Sequence, residues 1–467
     1  MPSFEVVKDL GTLPYMVPFS LSLRTVLKNI GTVGGQIDVE YGGAPSYVRL
    51  PNRYQTSINA GEVKEIVDRI EYLSLSPNSF YSDIINAVFT PVGTEQENIV
   101  VRFNPRFRTG PRECRGLGTE EATNDPKQRK IHYMAGRYWC FYSNSTQICY
   151  LHSGDAVNWS GPIGLYGEPL RPIPYGFRFD TYYDGTYIHL VFADFSSIYY
   201  VRGIPNTDGT ISFGPVNYVD GAHIQTISVS VDSGGYPWIA IDDLDQGAMK
   251  VYKSSRNDGT WETAPGFPHT LESGMTYPRA TILSAPNGRM ISIWLTHNQQ
   301  VRASVWHGSS WGVTKLSTYN IADGATMEYG VVVDGSVAHI VYRSTEGVTF
   351  ESFNSDTETF ENLLEDVTMG QPDLIRFSVG MITLDAATGD VYVSWMAGPE
   401  DNILLMRRRR DSSGVWGPPS TIGSTQNIPI LCRPTQSHLV TPAGIGYAWI
   451  VRLPGGELDL IITFVPV

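Results

Sequence analysis

Four arginines, Arg178, Arg279, Arg376 and Arg433, recur along this 467-residue chain in the company of aromatic, acidic or imidazole side chains. Tyr175 lies just before the first and Tyr277 just before the second; Glu328-Tyr329 falls between the second and third, and His223 between Arg178 and Arg279. These types suit a polar ligand such as a sugar. Guanidinium groups clasp anions, tyrosine rings stack on pyranose faces, and carboxylates accept hydrogen bonds from hydroxyls. Tyr175, Arg178, His223, Tyr277, Arg279, Glu328 and Arg433 are therefore the expected ligand contacts. The structural alternative for all four arginines, and the stronger expectation, is burial between sheets with their donors filled by backbone carbonyls.

Metal and redox chemistry have thinner support. Asp243-x-Asp245-x-Gly247 sets hard oxygen donors at alternate positions beside a turn glycine, as calcium loops begin, but lacks the acidic residue that completes an EF-hand about twelve positions along. A solvated acidic loop is expected, with Asp243 and Asp245 only a weak calcium candidate. If the hairpin after Cys140 turned at Asn144-Ser145, Cys140 and Cys149 would form a non-hydrogen-bonded pair able to accept a disulfide; two buried thiols are the equal alternative. Cys114 and Cys432 have no metal-type spacing. The histidines do not pair at i+2 or i+4, and no phosphate-cradling glycine loop, nucleophile elbow or Cys/His dyad is present, so no cofactor is expected.

What would position such residues is a repeat. Gly136, Gly185, Gly235, Gly288, Gly335, Gly389 and Gly444 each separate two strand-like runs, at steps of 47 to 55 residues. Ile227-Ser-Val-Ser-Val231 precedes such a turn and Trp238-Ile-Ala-Ile241 follows it. A period of about fifty residues fits four-stranded propeller blades. Seven blades are expected within 131–467, at about 131–170, 175–220, 225–270, 277–320, 328–370, 377–425 and 432–467. An aromatic closes the first six after a polar turn: Trp159, Phe213, Trp261, Trp311, Phe360 and Trp416. The seventh stops after its third strand, so the alternative count is six complete blades.

Residues 1–104 read as a separate β-sandwich, with Leu21–Asn29 and Gln36–Tyr41 as strands about a turn at 30–35. Residues 105–130, rich in Arg, Gly, Glu and Pro, read as a connector wrapping against the propeller. A stretch within 98–130 is expected to supply the missing outer strand. The charge of −13 argues against nucleic acid, which needs a cationic face. Arg407-Arg-Arg-Arg410 reads as solvated charge on an outer strand. No apolar run approaches the roughly 20 residues of a membrane span. The opening residues show no basic segment followed by an apolar one.

Two turns carry a family resemblance. Ser153-Gly-Asp155-Ala-Val-Asn-Trp159 and Ser255-Arg-Asn-Asp258-Gly-Thr-Trp261 resemble the Asp-box of sialidase-like propellers, each one residue short and the first lacking its glycine. Val26-x-x-Asn29-x-Gly31-x-x-x-Gly35, followed by Ala60-Gly-Glu62, resembles the immunoglobulin-like modules called CARDB-type. The first resemblance implies a propeller whose Asp-box turns are folding devices on the rim. An active site would lie where innermost strands begin, using Arg178, Arg279, Arg376 and Arg433 for a substrate carboxylate and Tyr277 or Tyr329 with Glu328 as nucleophile. The family's Arg-Ile-Pro signature is missing; Tyr277-Pro-Arg279 is the nearest echo.

The expectation is an all-β, non-enzymatic display or attachment protein. Its sandwich would anchor in an assembly of capsid or sibling subunits, and its propeller would present a face to a glycan or protein receptor. The alternative is a sialidase-like glycoside hydrolase. Location is expected on a virion or extracellular surface without a cleaved signal, with the cytoplasm as alternative.

Overall fold

The computed structural model describes residues 4–9, 15–16, 20–30, 32–42, 48–50, 52–72, 80–82, 85–92, 98–103, 106–108, 123, 125–145, 147–165, 178–194, 196–275, 279–295, 300–320, 329–344, 347–368, 380–398, 403–425, 434–452 and 458–467. They form an all-β protein of two compact units, 1–110 with 421–426, and 111–420 with 427–467. Among the described residues no helix is long and apolar enough to cross a membrane.

The first unit holds two four-stranded antiparallel sheets. One orders Phe4–Asp9, Ser20–Asn29, Val63–Tyr72 and Val48–Arg49; the other orders Ile99–Phe103, Ile85–Pro91, Gly35–Gly42 and Tyr54–Ile58. Asn29 explains the spacing around it. Its buried amide donates to the Val33 and Ile58 carbonyls at 2.9 and 3.0 Å, and its own carbonyl accepts from the Gly61 amide at 2.8 Å. One short polar side chain thus ties the 30–34 turn to the 59–62 turn, satisfying buried carbonyls that would otherwise cost desolvation energy.

The second unit is a succession of seven antiparallel sheets, in which neighbouring strands follow chain order. They begin at Ile131, Phe179, Ile224, Arg279, Tyr329, Met381 and Thr435, and are numbered sheets 1 to 7 here. The seventh has three strands among the described residues. All seven turn glycines between first and second strands have positive φ, from 55° at Gly335 to 101° at Gly444. That left-handed conformation is open to glycine and strained for side chains with a Cβ, which is why the repeat is written in glycine. The second strands are mostly buried and carry Trp139, Trp238, Trp294, Trp395 and Trp449, each almost wholly inaccessible.

The aromatics that close the sheets pack sideways onto the sheet before. Trp261 meets Tyr200 at 5.4 Å, Trp311 meets Trp238 at 6.2 Å, and Trp416 meets Phe350 at 5.5 Å. Trp159 of sheet 1 stacks on Phe464 of sheet 7 at 6.2 Å and 17°, and Tyr138 meets the same ring at 4.9 Å. First and last sheets are therefore neighbours, and the succession closes on itself. Aromatic pairs of this geometry add about 0.5–1.5 kcal/mol each beyond their buried area.

Three expectations are corrected here. The hairpin after Cys140 turns through four residues, with Asn144 N donating to Gln147 O and Gln147 N to the Asn144 side-chain oxygen. That sets Cys140 opposite Leu151 and Cys149 opposite Tyr142, so the two cysteines are diagonal neighbours and remain separate thiols. The Arg407–Arg410 run is solvated charge only at Arg409, whose side chain keeps 56% of its surface. Arg410 grips Glu365 through two bonds of 2.9 Å, Arg409 pairs with Asp390 at 2.6 Å, and Arg408 donates to the carbonyls of Gly417 and Val367 at 2.7 and 3.0 Å. Arg407 reaches the Pro466 carbonyl at 3.1 Å, so Arg407, Arg408 and Arg410 tie sheet 6 to its neighbours while the Arg409 pair stays within sheet 6. Finally, the described parts of 98–130 do not supply an outer strand. Ile99–Phe103 pairs with Ile85–Pro91 in the first unit, and 125–130 lies against innermost strands; residues 109–122 are outside the described set.

Candidate functional site: an axial cavity above an internal segment

Residues 125–130 run among the innermost strands of the second unit and bond to sheets 1, 2, 3 and 7. Gln128 Nε2 donates to Ile227 O of sheet 3 at 2.8 Å, and Arg129 N to the Asp180 carboxylate of sheet 2 at 2.6 Å. Phe141 N of sheet 1 donates to Lys130 O at 2.8 Å, and His438 Nε2 of sheet 7 lies 3.3 Å from Pro126 O. Lys127 pairs with the Asp125 carboxylate beneath the Tyr329 ring of sheet 5. Lys130 donates to Gln128 Oε1 at 2.8 Å and sits 4.8 Å from the Phe179 ring. Both lysines are fully buried, and burial lowers both ammonium pKa values, that of Lys130 to about 7.

Where the innermost strands end, a cavity of about 620 Å³ opens over this segment. Its wall is built by the last residues of those strands, because each turns outward at its glycine and leaves its final side chains around the axis. Tyr133, Tyr182 and Tyr183 give one side; Leu283 to Pro286, Val332 and Val333 give the other, and Leu439 to Pro442 complete it. Arg129 and His132 also line it. Among the described residues the lining contains no aspartate or glutamate. Tyr133 keeps 39% of its surface and Leu439 54%, so aromatic and aliphatic surface faces the opening.

The electrostatics are spare. His132 Nε2 bonds Thr181 Oγ1 at 2.8 Å, and burial lowers its pKa to about 3; His438 is likewise held well below the usual histidine range. Both rings are neutral at physiological pH. Arg129 lies 4.9 Å from the centre of the Tyr182 ring, donates through Nη1 to Val229 O at 2.8 Å, and stands 3.7 Å from Asp180. Asp180 is already served by the amides of Arg129, Thr181 and Val229.

The described ones among the expected site residues, Arg178, His223, Arg279 and Tyr329, lie at or just before the first residues of innermost strands and do not line the cavity. Tyr175, Tyr277, Glu328, Arg376 and Arg433 lie outside the described residues. Arg178, 6% exposed, donates to the Asp194 carbonyl at 2.8 Å. Arg279 donates to Gln225 Oε1 at 2.9 Å and Asp242 Oδ2 at 3.1 Å. Asp242 also accepts the amides of Gln225 and Thr226, and burial raises its pKa to about 6. The Tyr329 hydroxyl donates to Ile293 O at 2.9 Å and meets Thr281 Oγ1 at 2.6 Å, in full burial that raises its pKa well above 10. Such a phenol joins sheets 4 and 5 and cannot reach a substrate as a nucleophile. Exposed His223 lies 3.4 Å from Asp245.

The calcium candidate resolves as a side-chain pair. Asp243 accepts Lys250 Nζ at 2.6 Å and the amides of Asp245 and Gln246, and no metal-type cluster occurs among the described residues. The Asp-box-like turns act on the rim. Asp155 accepts the amides of Val157 and Asn158, and Asp258 the amide and hydroxyl of Thr260. Two more turns use the same device: Asp208 with Thr210, and Asp411 with Ser413. The positive φ of Gly209, Gly259 and Gly414 was the sequence signal for them. The axial segment had no such signal. Lys127-Gln-Arg-Lys130 has the composition of exposed chain, and only the ring around it makes it an interior.

No family model matches the chain, and no curated protein matches its sequence. Solved structures similar to it include a protein from Lactobacillus plantarum (14% identity, TM-score 0.44, covering 71% of this chain and 97% of that one). Another is the lectin SapL1 in complex with alpha methyl fucoside (10%, 0.39, covering 75% and 100%). A third is Trypanosoma rangeli sialidase (11%, 0.40, covering 73% of this chain and 54% of that one). Likeness at this level carries no argument about ligand or activity.

Proposed function

We propose that this protein is a non-catalytic carbohydrate-binding propeller that takes a saccharide in the axial cavity. The observation that carries this reading is the cavity's composition. Tyrosine rings and aliphatic side chains surround about 620 Å³, a volume within the range of small-molecule sites, with few polar groups and, among the described residues, no carboxylate in the lining. Rings hold pyranose faces, whereas glycoside hydrolysis uses a pair of carboxylates about the scissile bond. In the same reading the seven sheets are seven blades, and the first unit is an immunoglobulin-like module that anchors the chain in an assembly such as a virion surface. The closed ring of sheets and the separate sandwich support that division of labour.

The test is a glycan array on the full chain, followed by calorimetric titration of each hit against Tyr133→Ala and Tyr183→Ala. Loss of about 1–3 kcal/mol of affinity on removal of either ring, with unchanged thermal melting, is the expected result. Hits indifferent to both substitutions, or hits that the protein hydrolyses, would overturn the proposal.

A further inference from the structure

The axial segment brings one cation to the cavity wall and leaves it half used. Of the Arg129 donors, Nη1 bonds Val229 O at 2.8 Å; Nε and Nη2 have no hydrogen-bond partner among the described residues. The side chain keeps 11% of its surface although sheets surround it, and it lines the cavity. Neither donor is a fully buried one left without a partner, so both are available to solvent or to a ligand. Asp180 does not take them: its 3.7 Å approach is to Nη1, and its oxygens are taken by three backbone amides. The Nε and Nη2 hydrogens form the edge that matches two oxygens of one anion. Among the described residues nothing else in the lining competes for an anion or repels one, since His132 is neutral and no acidic side chain lines the cavity. Among the turn carboxylates on the same face, Asp184 is engaged with the amides of Thr186 and Tyr187, Asp232 with those of Gly234 and Tyr236, and Asp385 with that of Ala387, whereas exposed Asp334 stands between Val333 and Gly335 outside the lining. Tyr182, stacked under the guanidinium, fixes its plane.

We infer that the axial cavity selects ligands bearing a carboxylate or sulfate group, which the Nε and Nη2 edge of Arg129 receives in two parallel hydrogen bonds. Two oxygens on one atom are the shared chemistry, supplied by either a uronic acid or a sulfated sugar. The inference rests on the cavity being the saccharide site, and it names the class of saccharide. It also accounts for how an anion is accepted by a chain of net charge −13: the selecting cation lies in the interior, away from the acidic surface.

Calorimetric titration of the full chain with three probes tests it: a hexuronate oligosaccharide, its carboxyl-reduced neutral form, and a sulfated counterpart. The uronate or the sulfated form should bind about tenfold or more tightly than the neutral form, since a charge-assisted bidentate contact is lost with the anion. Arg129→Gln should erase that preference, so that charged and neutral forms bind it alike. Because Arg129 also anchors the axial segment, Tyr133→Ala provides a second variant, expected to weaken charged and neutral forms by the same factor. Equal binding of all three probes to the unsubstituted protein, with Tyr133→Ala weakening them, overturns the anion selectivity and leaves the cavity reading standing. Binding of none of the three at about 10 mM overturns both.

Discussion

Replacing Gly444 by alanine should loosen the ring at its closing sheet, whereas the same change at Gly335 should be mild, though both are turn glycines of one repeat. Their φ values are 101° and 55°. A Cβ on Gly335 would meet nothing within 4 Å, so Gly335→Ala bears only the left-handed strain of about 1 kcal/mol. A Cβ on Gly444 would stand 2.2 Å from Val465 O, 2.7 Å from Val465 C and 2.8 Å from Pro466 Cα. All three are backbone atoms, so no rotamer change relieves the contact. The final strand must draw back from its neighbour, giving up ladder bonds near the Ile445 and Val465 pair at about 1 kcal/mol each. Strain and ladder loss together place Gly444→Ala at about 3–5 kcal/mol. For a unit of this size about 1–2 °C per kcal/mol is expected, so thermal melts should fall by about 1–2 °C for Gly335→Ala and about 5 °C for Gly444→Ala. Gly335→Asn, which tolerates the left-handed region, is the control and should be nearly silent. Equal shifts for the two alanine variants would refute the reasoning, because strain without contact would then account for both.

Glu351 is buried with its Oε2 accepting Ser317 Oγ at 2.8 Å and Tyr342 OH at 3.1 Å, and burial raises its pKa to about 7. A carboxyl with a raised folded pKa stabilises fully below its unfolded value of 4.5 and loses that contribution as pH rises through about 7. Glu351→Gln should therefore gain stability relative to the parent between pH 5 and 8, read as a converging or crossing pair of urea midpoints; parallel pH profiles would refute this. Arg410→Lys keeps the charge but breaks the two-bond grip on Glu365, and should cost about 1–2 kcal/mol in urea unfolding, with no effect on any glycan titration.

Much of the second unit was legible because the repeat is written in residues whose reasons are local. A glycine that must take positive φ, an aspartate that bonds the amide two residues on, and a strand that alternates or runs apolar depend on nearby chain alone. The places that resisted reading depend on distant chain. Cys140 and Cys149 missed pairing because a four-residue turn, held by the Asn144 side chain, moved the register by one place on each strand. The Arg407–Arg410 run looked like surface charge because its partners Glu365, Val367, Asp390 and Pro466 come from other strands.

The candidate site followed the same division. Residue types pointed to a polar, aromatic ligand surface, and that chemistry reappears in Tyr133, Tyr182 and Tyr183. Arg178, Arg279 and Tyr329 are engaged by carbonyl and side-chain partners from elsewhere in the chain, which no local pattern announces. The sequence by itself determined the seven turns and their left-handed glycines, since each is settled by conformational preference within a few residues. Only the tertiary structure decided that residues 125–130 lie among the innermost strands, that Arg129 meets Tyr182 and a carbonyl one hundred residues along at Val229, and that it lines the cavity. Burial and hydrogen-bond satisfaction are properties of what surrounds a group, and for this segment the surroundings come from five different sheets.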